Sequence, residues 1–191
     1  MKNSPLIIGI TGAFGSGKST TADFLEKEKG FKRVTLSSFL EEEAVKRNVG
    51  KITRKILQDI ANEWREKYGG GILAEKALLS LKNNNIDKAV IDGIRNIGEI
   101  EFLGKNANFI LIAVIADRKV RFQRLQEFKR REDLTWDLFE KLDYRDLGVG
   151  EKKTGLQVAI CIALADTFII NNSNKEEFIE RLETFTQTLI K

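Results

Sequence analysis

Residues 12–19 carry the most specific chemical pattern in the sequence. They read Gly-Ala-Phe-Gly-Ser-Gly-Lys-Ser and match the spacing G-x-x-x-x-G-K-[ST], between an apolar run and a segment with helical periodicity. Glycines let successive backbone N–H groups turn toward phosphate oxygens, and the helix that follows adds its positive N-terminal dipole. A plain glycine-rich turn would not explain Lys18 and Ser19. The pattern therefore predicts a loop that binds the phosphates of ATP or a close relative.

The residue types in this loop predict separate roles. Lys18 would bring a positive charge to the β and γ phosphates, which makes it a candidate catalytic residue, and the Ser19 hydroxyl would bind the accompanying Mg²⁺. The predicted nucleotide-binding residues of the segment are Gly12, Ala13, Phe14, Gly15, Ser16, Gly17, Lys18, Ser19 and Thr20.

Asp92 is a second candidate for the same chemistry. It ends the apolar run at residues 88–92 and precedes Gly93. A carboxylate at the end of a strand beside the phosphate-loop strand can orient Mg²⁺, so we predict a catalytic and metal-binding role for Asp92 together with Ser19. The alternative is a polar strand end in an ordinary Asp-Gly turn.

The composition excludes several other chemistries. The chain has no histidine, which rules out Ser-His and Cys-His catalysis and the commonest zinc ligand. Its single cysteine, Cys161, lies in an apolar stretch and is expected to be a buried thiol rather than a nucleophile. The net charge of +4 suits a polyanionic ligand. A nucleic-acid partner is compatible with this charge but not favoured, since no basic patch interleaved with aromatic residues is evident.

The hydropathy pattern argues against a membrane protein. No apolar run approaches the roughly 18 to 20 residues of a spanning helix, and the first residues lack the basic and apolar regions of a secretory signal. We therefore expect a cytoplasmic protein with no membrane partner. The sequence does not indicate an oligomeric state.

The order of apolar and periodic segments predicts an α/β fold. Near-continuous apolar strands indicate a parallel sheet covered on both faces, so we expect a three-layer, doubly wound, parallel five-stranded sheet in a single domain of residues 1–191. The predicted strands are residues 6–11, 31–36, 88–92, 108–116 and 167–171. The predicted helices are residues 18–29, 39–47, 54–68, 72–82, 97–104, 119–128, 135–142, 155–165 and 175–190.

Two long segments interrupt this alternation. The first, at about residues 37–85, is named here the acceptor-side insertion, and the second, at about residues 129–154, the lid-like insertion. The second is strongly charged, and its loop at residues 147–154 is expected to be mobile because it is rich in glycine and lysine.

Several of these segments resemble a known group of enzymes. The motif GAFGSGKST, the Asp92-Gly93 pair with Arg95 close behind, and IADRKVRFQRL at residues 115–125 resemble nucleoside monophosphate kinases and dephospho-CoA kinase. The stretches VIDGIRNIGEIEFL, LDYRDLG and ADTFIINNS resemble a family of small microbial P-loop nucleotide kinases. The resemblance covers nearly the whole chain, and it implies a nucleoside monophosphate kinase-like P-loop fold whose two insertions close over the substrates.

The resemblance also implies an acceptor site in the first insertion. The segment TRKILQ at residues 53–58 is similar to the acceptor helix of deoxynucleoside monophosphate kinases, so Arg54 would bind the acceptor phosphate and Gln58 its base or sugar. The two residues share a helix face, and the alternative is an ordinary solvated face. Arg65 and Tyr68 lie further along the same helix.

Two further residues are predicted to bind the acceptor. Arg95 resembles the arginine that holds the acceptor phosphate in adenylate-type kinases, with a spacing one residue shorter and without the usual proline. Ser37 opens the acceptor-side insertion at the end of the second strand, where ligands of open α/β sheets bind. Ser37 could equally be a helix N-cap ahead of Glu41.

The lid-like insertion and its approaches carry four arginines, at positions 124, 130, 131 and 145. The planar guanidinium pairs with two phosphate oxygens at once, and we expect at least two of the four to reach the triphosphate. Arg124 and Arg130 are predicted catalytic residues, and Arg124 is also predicted to bind the nucleotide. The resemblance implies that residues 171–173 contact the nucleotide base, with a helix-capping loop as the alternative.

The activity implied is Mg²⁺-dependent transfer of the γ-phosphoryl group of ATP to a nucleoside or deoxynucleoside monophosphate. An acceptor phosphate is already a nucleophile, so alignment and charge neutralisation suffice without histidine. A hydroxyl acceptor, as in dephospho-CoA kinase, would call for a carboxylate base, and none is clear in the acceptor-side insertion. A third hypothesis is a nucleotide-switched binding protein or a nucleic-acid-dependent ATPase.

Overall fold

The computed structural model describes residues 4–128 and 134–189. Within these residues the chain forms a five-stranded sheet flanked by helices. The strands are β1 Leu6–Thr11, β2 Lys32–Thr35, β3 Lys88–Asp92, β4 Asn108–Ile115 and β5 Thr167–Ile170. The helices are α1 Lys18–Lys29, α2 Leu36–Lys46, α3 Arg54–Tyr68, α4 Ile72–Asn83, α5 Ile97–Asn106, α6 Arg118–Phe128, α7 Trp136–Leu147, α8 Val158–Ala163 and α9 Lys175–Leu189.

The sheet is parallel throughout, with the strand order β2-β3-β1-β4-β5. Neighbouring residues of β1 face opposite layers: Ile7 packs with α2, α3 and α4, whereas Ile8 packs with α1 and α9. Both faces of the sheet are therefore covered, which explains why the strands read as continuous apolar runs. The predicted three-layer, doubly wound fold is confirmed.

The strand order brings the predicted phosphate loop and Asp92 together. β1 lies at the centre of the sheet and pairs with β3 so that Ile10 is opposite Asp92. Because all strands run in the same direction, their carboxyl ends form one edge, and ligands of open α/β sheets bind at that edge. The loop after β1 and the carboxylate at the end of β3 are thus neighbours there.

Some element boundaries differ from the sequence prediction. α2 begins at Leu36 rather than residue 39, because Thr35 in extended conformation takes the N-cap position and β2 ends there. The alternative role of Ser37 as an N-cap is therefore wrong. α7 continues to Leu147, five residues beyond the predicted end, and stops only where Gly148 adopts a left-handed conformation with φ 104°. α8 is shorter than predicted.

The loop at residues 147–154, expected to be mobile, is tied down at several points. Glu151 accepts a hydrogen bond of 2.5 Å from Asn62 on α3 and one of 2.7 Å from Arg145 on α7. Asn96 donates to the backbone carbonyls of Lys153 (3.2 Å) and Gly155 (2.7 Å). These contacts hold the end of the lid-like insertion against α3 of the acceptor-side insertion and against the β3–α5 connection.

A buried ion pair joins α6, α7 and the phosphate loop. Arg121 is 3% exposed and Asp143 is fully buried, and their two hydrogen bonds measure 2.5 and 3.0 Å. The same guanidinium donates to the carbonyl oxygens of Phe14 (2.9 Å) and Ala116 (3.0 Å). Arg121 thereby fixes the loop at Phe14 to the two helices.

Among the described residues no helix has the length and apolarity needed to cross a bilayer.

Removal of one partner of this pair should destabilise the protein strongly. We expect Arg121→Met to lower the free energy of unfolding by about 3–5 kcal/mol, because the buried Asp143 would lose both short hydrogen bonds and keep only the 3.3 Å contact from Nε of the more exposed Arg118. The double variant Arg121→Met with Asp143→Leu should recover a substantial part of that loss. Urea denaturation measures both, and an unchanged unfolding midpoint in Arg121→Met would contradict the structural role.

Candidate active site

A cavity of about 1060 Å³ opens at the carboxyl edge of the sheet. Its walls come from the loop at residues 12–19, from α2 and α3, from the β3–α5 connection and from the β5–α9 loop. The acceptor-side insertion therefore meets the phosphate loop around one shared space, to which the lid-like insertion adds Leu134, and this space has room for two small ligands.

The phosphate loop needs glycine where the backbone is left-handed and crowded. Gly12 has φ 144°, and a Cβ atom there would lie 2.3 Å from the backbone oxygen of Val114. Gly17 has φ 108°, and its Cβ would lie 2.3 Å from Nδ2 of Asn171. That same amide nitrogen donates to the carbonyl oxygen of Ser16 (2.9 Å). Any larger residue at either position would move the loop.

Lys18 begins α1 and turns back over its own loop. Its Nζ donates to the carbonyl oxygens of Gly12 (2.7 Å) and Ala13 (3.0 Å). Burial, with the positive charge of Arg95 next in importance, lowers the pKa of Lys18 to about 8. An arriving phosphate would reverse this effect, because it supplies the negative charge that a buried ammonium group lacks.

Ser19 and Asp92, the two predicted metal-binding residues, face each other. The Ser19 hydroxyl donates to Oδ2 of Asp92 over 3.4 Å, close to the separation of about 3 Å between adjacent oxygen ligands of an octahedral Mg²⁺. No cluster of three acidic, histidine or cysteine side chains that could hold a metal occurs in the described part of the chain. The pair therefore fits a Mg²⁺ ion whose other ligands are phosphate oxygens and water.

Arg33 on β2 is a partner of Asp92 that sequence reasoning missed. Its Nη2 donates to Oδ2 of Asp92 (2.6 Å), and its Nη1 pairs with Asp23 on α1. The guanidinium thus orients the carboxylate toward the cavity. The one sequence feature that could have indicated this contact was a basic residue in a short predicted strand, which pairs in the structure with the strand that ends at Asp92.

Arg54 and Gln58 both line the cavity from α3. The Arg54 guanidinium stacks over the ring of Phe14, 3.5 Å from its centroid, so a cation of the acceptor-side insertion lies directly beside the phosphate loop. Gln58 is 3% exposed, and neither of its amide atoms has a hydrogen-bond partner among the described residues. The solvated helix face considered above is therefore not what the structure contains.

Arg95 also lines the cavity and pairs with a buried carboxylate. Its Nη1 donates to Oδ1 of Asp146 on α7 (2.5 Å), while Oδ2 of Asp146 has no partner within the described ranges. Burial alone would raise the pKa of Asp146, but Arg95, then Arg54 and Lys18, hold the pKa below its usual range. Asp146 is hence an ionised carboxylate among the cations of the phosphate site, and nothing in its sequence position predicted this.

The other predicted residues divide between the cavity and its surroundings. Ser37 lines the cavity from the first turn of α2, and its hydroxyl donates to Glu41 (3.3 Å). Arg124 lines the opposite side and donates to the carbonyl oxygens of Asn171 and Ser173, each at 2.9 Å.

Of the remaining lid arginines, Arg145 is not among the described residues that line the cavity. Arg145 forms ion pairs of 2.7 Å with Asp59 and with Glu151. Arg130 and Arg131 lie outside the described residues, so their phosphate contacts stay predictions. Cys161 is buried as expected, and burial raises the pKa of its thiol to about 12.

Comparison with known proteins places the chain in a family. The sequence model of a family described as "AAA domain" matches residues 8–146. The UPF0200 protein of Sulfurisphaera tokodaii is 36% identical over 185 residues, which cover 96% of this chain and 97% of the relative. That of Thermococcus gammatolerans is 32% identical over 200 residues, covering 97% and 96%. The chain belongs to the UPF0200 family.

Solved structures of other proteins are similar in fold to this UPF0200 family member. TT1252 from Thermus thermophilus has a TM-score of 0.61 at 21% identity and covers 99% of this chain and 100% of its own. Shikimate kinase from Acinetobacter baumannii has a TM-score of 0.60 at 16% identity, covering 98% and 93%. Dephospho-CoA kinase from Campylobacter jejuni reaches 0.51 at 16%, covering 96% of each. The family member thus has a P-loop kinase fold, as the motifs implied.

The lowered pKa of Lys18 predicts proton uptake when this UPF0200 family member binds ATP. With a pKa of about 8, half of the free lysine is neutral at pH 8, whereas the phosphates require the ammonium form. Binding at pH 8 should therefore take up about half a proton, and affinity should fall about tenfold per unit above pH 8.

Calorimetric titration in two buffers of different ionisation enthalpy measures this uptake. Lys18→Arg is the matched control, because arginine stays charged and should bind without taking up a proton. Wild-type binding that takes up no proton at pH 8 would contradict the account of Lys18.

Proposed function

We propose that the chain is an ATP- and Mg²⁺-dependent phosphotransferase that converts a nucleoside or deoxynucleoside monophosphate to the diphosphate. The observation that carries this proposal is the position of Arg54, whose guanidinium lies 3.5 Å above the Phe14 ring of the phosphate loop. A second cationic site, on a different element, thus adjoins the cradle for the ATP phosphates, as transfer between two phosphates requires.

The charged and polar residues named above would have separate roles in this reaction. The loop at residues 12–19 and Lys18 would bind the β and γ phosphates, and Arg54 with Arg95 would neutralise and orient the acceptor phosphate. An acceptor oxygen then bonds to the γ phosphorus while the bond to the β–γ bridging oxygen breaks, and ADP leaves with that oxygen. Ser19 and Asp92 would hold Mg²⁺, which supplies positive charge to the transferring phosphates.

Asp146 supports a second candidate, a kinase that phosphorylates a hydroxyl. Its ionised, buried carboxylate near Lys18 could accept the proton that a hydroxyl loses as it attacks. The similarity in fold to shikimate kinase and dephospho-CoA kinase is consistent with such an acceptor. Against it, a carboxylate held below its usual pKa is a weak base, and Arg54 and Arg95 are better suited to a phosphate.

A product screen tests the proposal directly. ATP and Mg²⁺ are incubated with each nucleoside and deoxynucleoside monophosphate and with dephospho-CoA, and the products are separated by ion-exchange chromatography. We expect a nucleoside diphosphate from wild-type protein and none from Lys18→Ala. Phosphorylation of dephospho-CoA alone would favour the hydroxyl mechanism, and ATP hydrolysis that depends on RNA or DNA would contradict both kinase candidates.

Substitution of Arg54 should separate acceptor from donor binding. Arg54→Gln removes a charge-assisted contact to the acceptor phosphate, so KM for the acceptor should rise about 10- to 100-fold while KM for ATP changes little. Lys55→Gln is the matched control, because Lys55 lies one residue away on the exposed side of α3, paired with Asp59. Equal effects of the two substitutions, or a rise confined to KM for ATP, would contradict the role of Arg54.

A further inference from the structure

One stripe of α3 faces the cavity from end to end. Arg54, Gln58, Ala61 and Arg65 follow one another at the spacing i, i+4, i+7 and i+11, and all four line the cavity. Arg54 lies beside the phosphate loop, and each residue adds about 1.5 Å along the helix, so Gln58 is about 6 Å further in. A ligand that extends along the helix beyond a phosphate bound at Arg54 would therefore contact Gln58 and then Arg65.

Gln58 presents a hydrogen-bonding group without a partner. Its side chain is 97% buried, and neither Oε1 nor Nε2 is hydrogen-bonded within the described part of the chain. The residues around it, Leu57 and Ala61, offer no polar atom from their side chains. Leaving a buried amide without a hydrogen bond costs about 1–3 kcal/mol. A ligand that hydrogen-bonds to this amide would remove that cost.

Arg65 supplies a second group of the same kind, and its orientation is fixed. Its Nε and Nη2 donate to Oε1 of Glu99 (3.2 and 2.8 Å), and both side chains are buried. Glu99 is held in turn, because its Oε2 accepts from the backbone nitrogens of Arg95 (2.7 Å) and Asn96 (3.1 Å). Nη1 of Arg65, on the other edge of the guanidinium, has no partner among the described residues.

We infer that these groups select an acceptor whose base carries an oxo group next to a ring N–H, as in uracil, thymine and hypoxanthine. This inference rests on the proposed function and names the substrate class of its acceptor site. Gln58 can turn its amide to suit either an oxo or an amino base. Arg65 cannot, because a guanidinium only donates hydrogen bonds. With the 4-position of a pyrimidine or the 6-position of a purine against Nη1, the amino group of cytosine or adenine would place donor against donor.

The shape of the site agrees with a planar ring. Ala61, between Gln58 and Arg65 on the stripe, has the smallest side chain that a helix position commonly carries, and it leaves space above the helix. Leu57 and Leu73 also line the cavity and add apolar surface. An imide edge, with two oxo groups flanking an N–H, would satisfy Nη1 of Arg65 and both amide atoms of Gln58 together.

Matched pairs of nucleotides test the inference. The dissociation constants of UMP against CMP, and of IMP against AMP, are measured by isothermal titration calorimetry with wild-type protein. The members of each pair differ in an oxo against an amino group and in the hydrogen on the adjacent ring nitrogen, and the oxo member should bind about 10- to 100-fold more tightly. Arg65→Lys keeps the charge beside Glu99 but removes the Nη1 donor, so the ratio within each pair should fall toward one.

Gln58→Leu provides a second variant with a different signature. It should weaken binding of all four nucleotides while the preference for the oxo member persists, because Arg65 is intact. If Arg65→Lys does not fold, as judged by circular dichroism, the two wild-type ratios decide alone. Binding of all four without preference for the oxo member would overturn this inference and leave the kinase proposal standing. Binding of none would also overturn it, and the product screen with every nucleoside and deoxynucleoside monophosphate then decides the kinase proposal separately.

Discussion

The arrangement of the phosphate site depends on a cluster of positively charged side chains around the phosphate loop. Lys18, Arg54, Arg95 and Arg121 come from four different elements and act on the same buried carboxylate, Asp146. Burial first and then the nearby charge of Arg95 lower the pKa of Lys18, because both disfavour its ammonium form. Asp146 and Asp143 compensate for the positive charges in the absence of a ligand. Both belong to α7, so the position of the lid-like insertion is tied to the charge balance of the phosphate site.

This balance gives phosphate binding a physical consequence beyond affinity. A triphosphate and a phosphorylated acceptor would each add negative charge near Asp146, an ionised carboxylate that already pairs with Arg95. The contact between Arg95 and Asp146 is therefore the one that incoming phosphates compete for. Arg121 and Asp143 are buried and joined by two hydrogen bonds, and Arg121 also donates to the carbonyl oxygen of Phe14, so the pair is suited to hold α6 and α7 against the loop.

The sequence predicted the parts of this arrangement that depend on local patterns. The loop at residues 12–19, Asp92 at the end of β3 and the shared face of Arg54 and Gln58 follow from spacing along one element, and the structure brings them to one cavity. What a pattern did not reveal were pairings between distant elements. Arg121 and Asp143 are 22 residues apart, Arg65 and Glu99 are 34 apart, and Arg33 and Asp92 are 59 apart. An arginine reads the same in sequence whether it binds phosphate or a buried carboxylate, and Arg145 shows how tertiary contacts decide between the two.

We propose that one cavity binds the donor and acceptor phosphates end to end between the phosphate loop and α3. The most direct test is the affinity for a bisubstrate analogue in which five phosphates join adenosine to the nucleoside whose monophosphate binds best. Because the linked second group binds at high effective concentration, the analogue should bind once per chain and at least about 100-fold more tightly than ATP. Arg54→Gln should remove most of that advantage. An analogue that binds no more tightly than ATP would contradict the account.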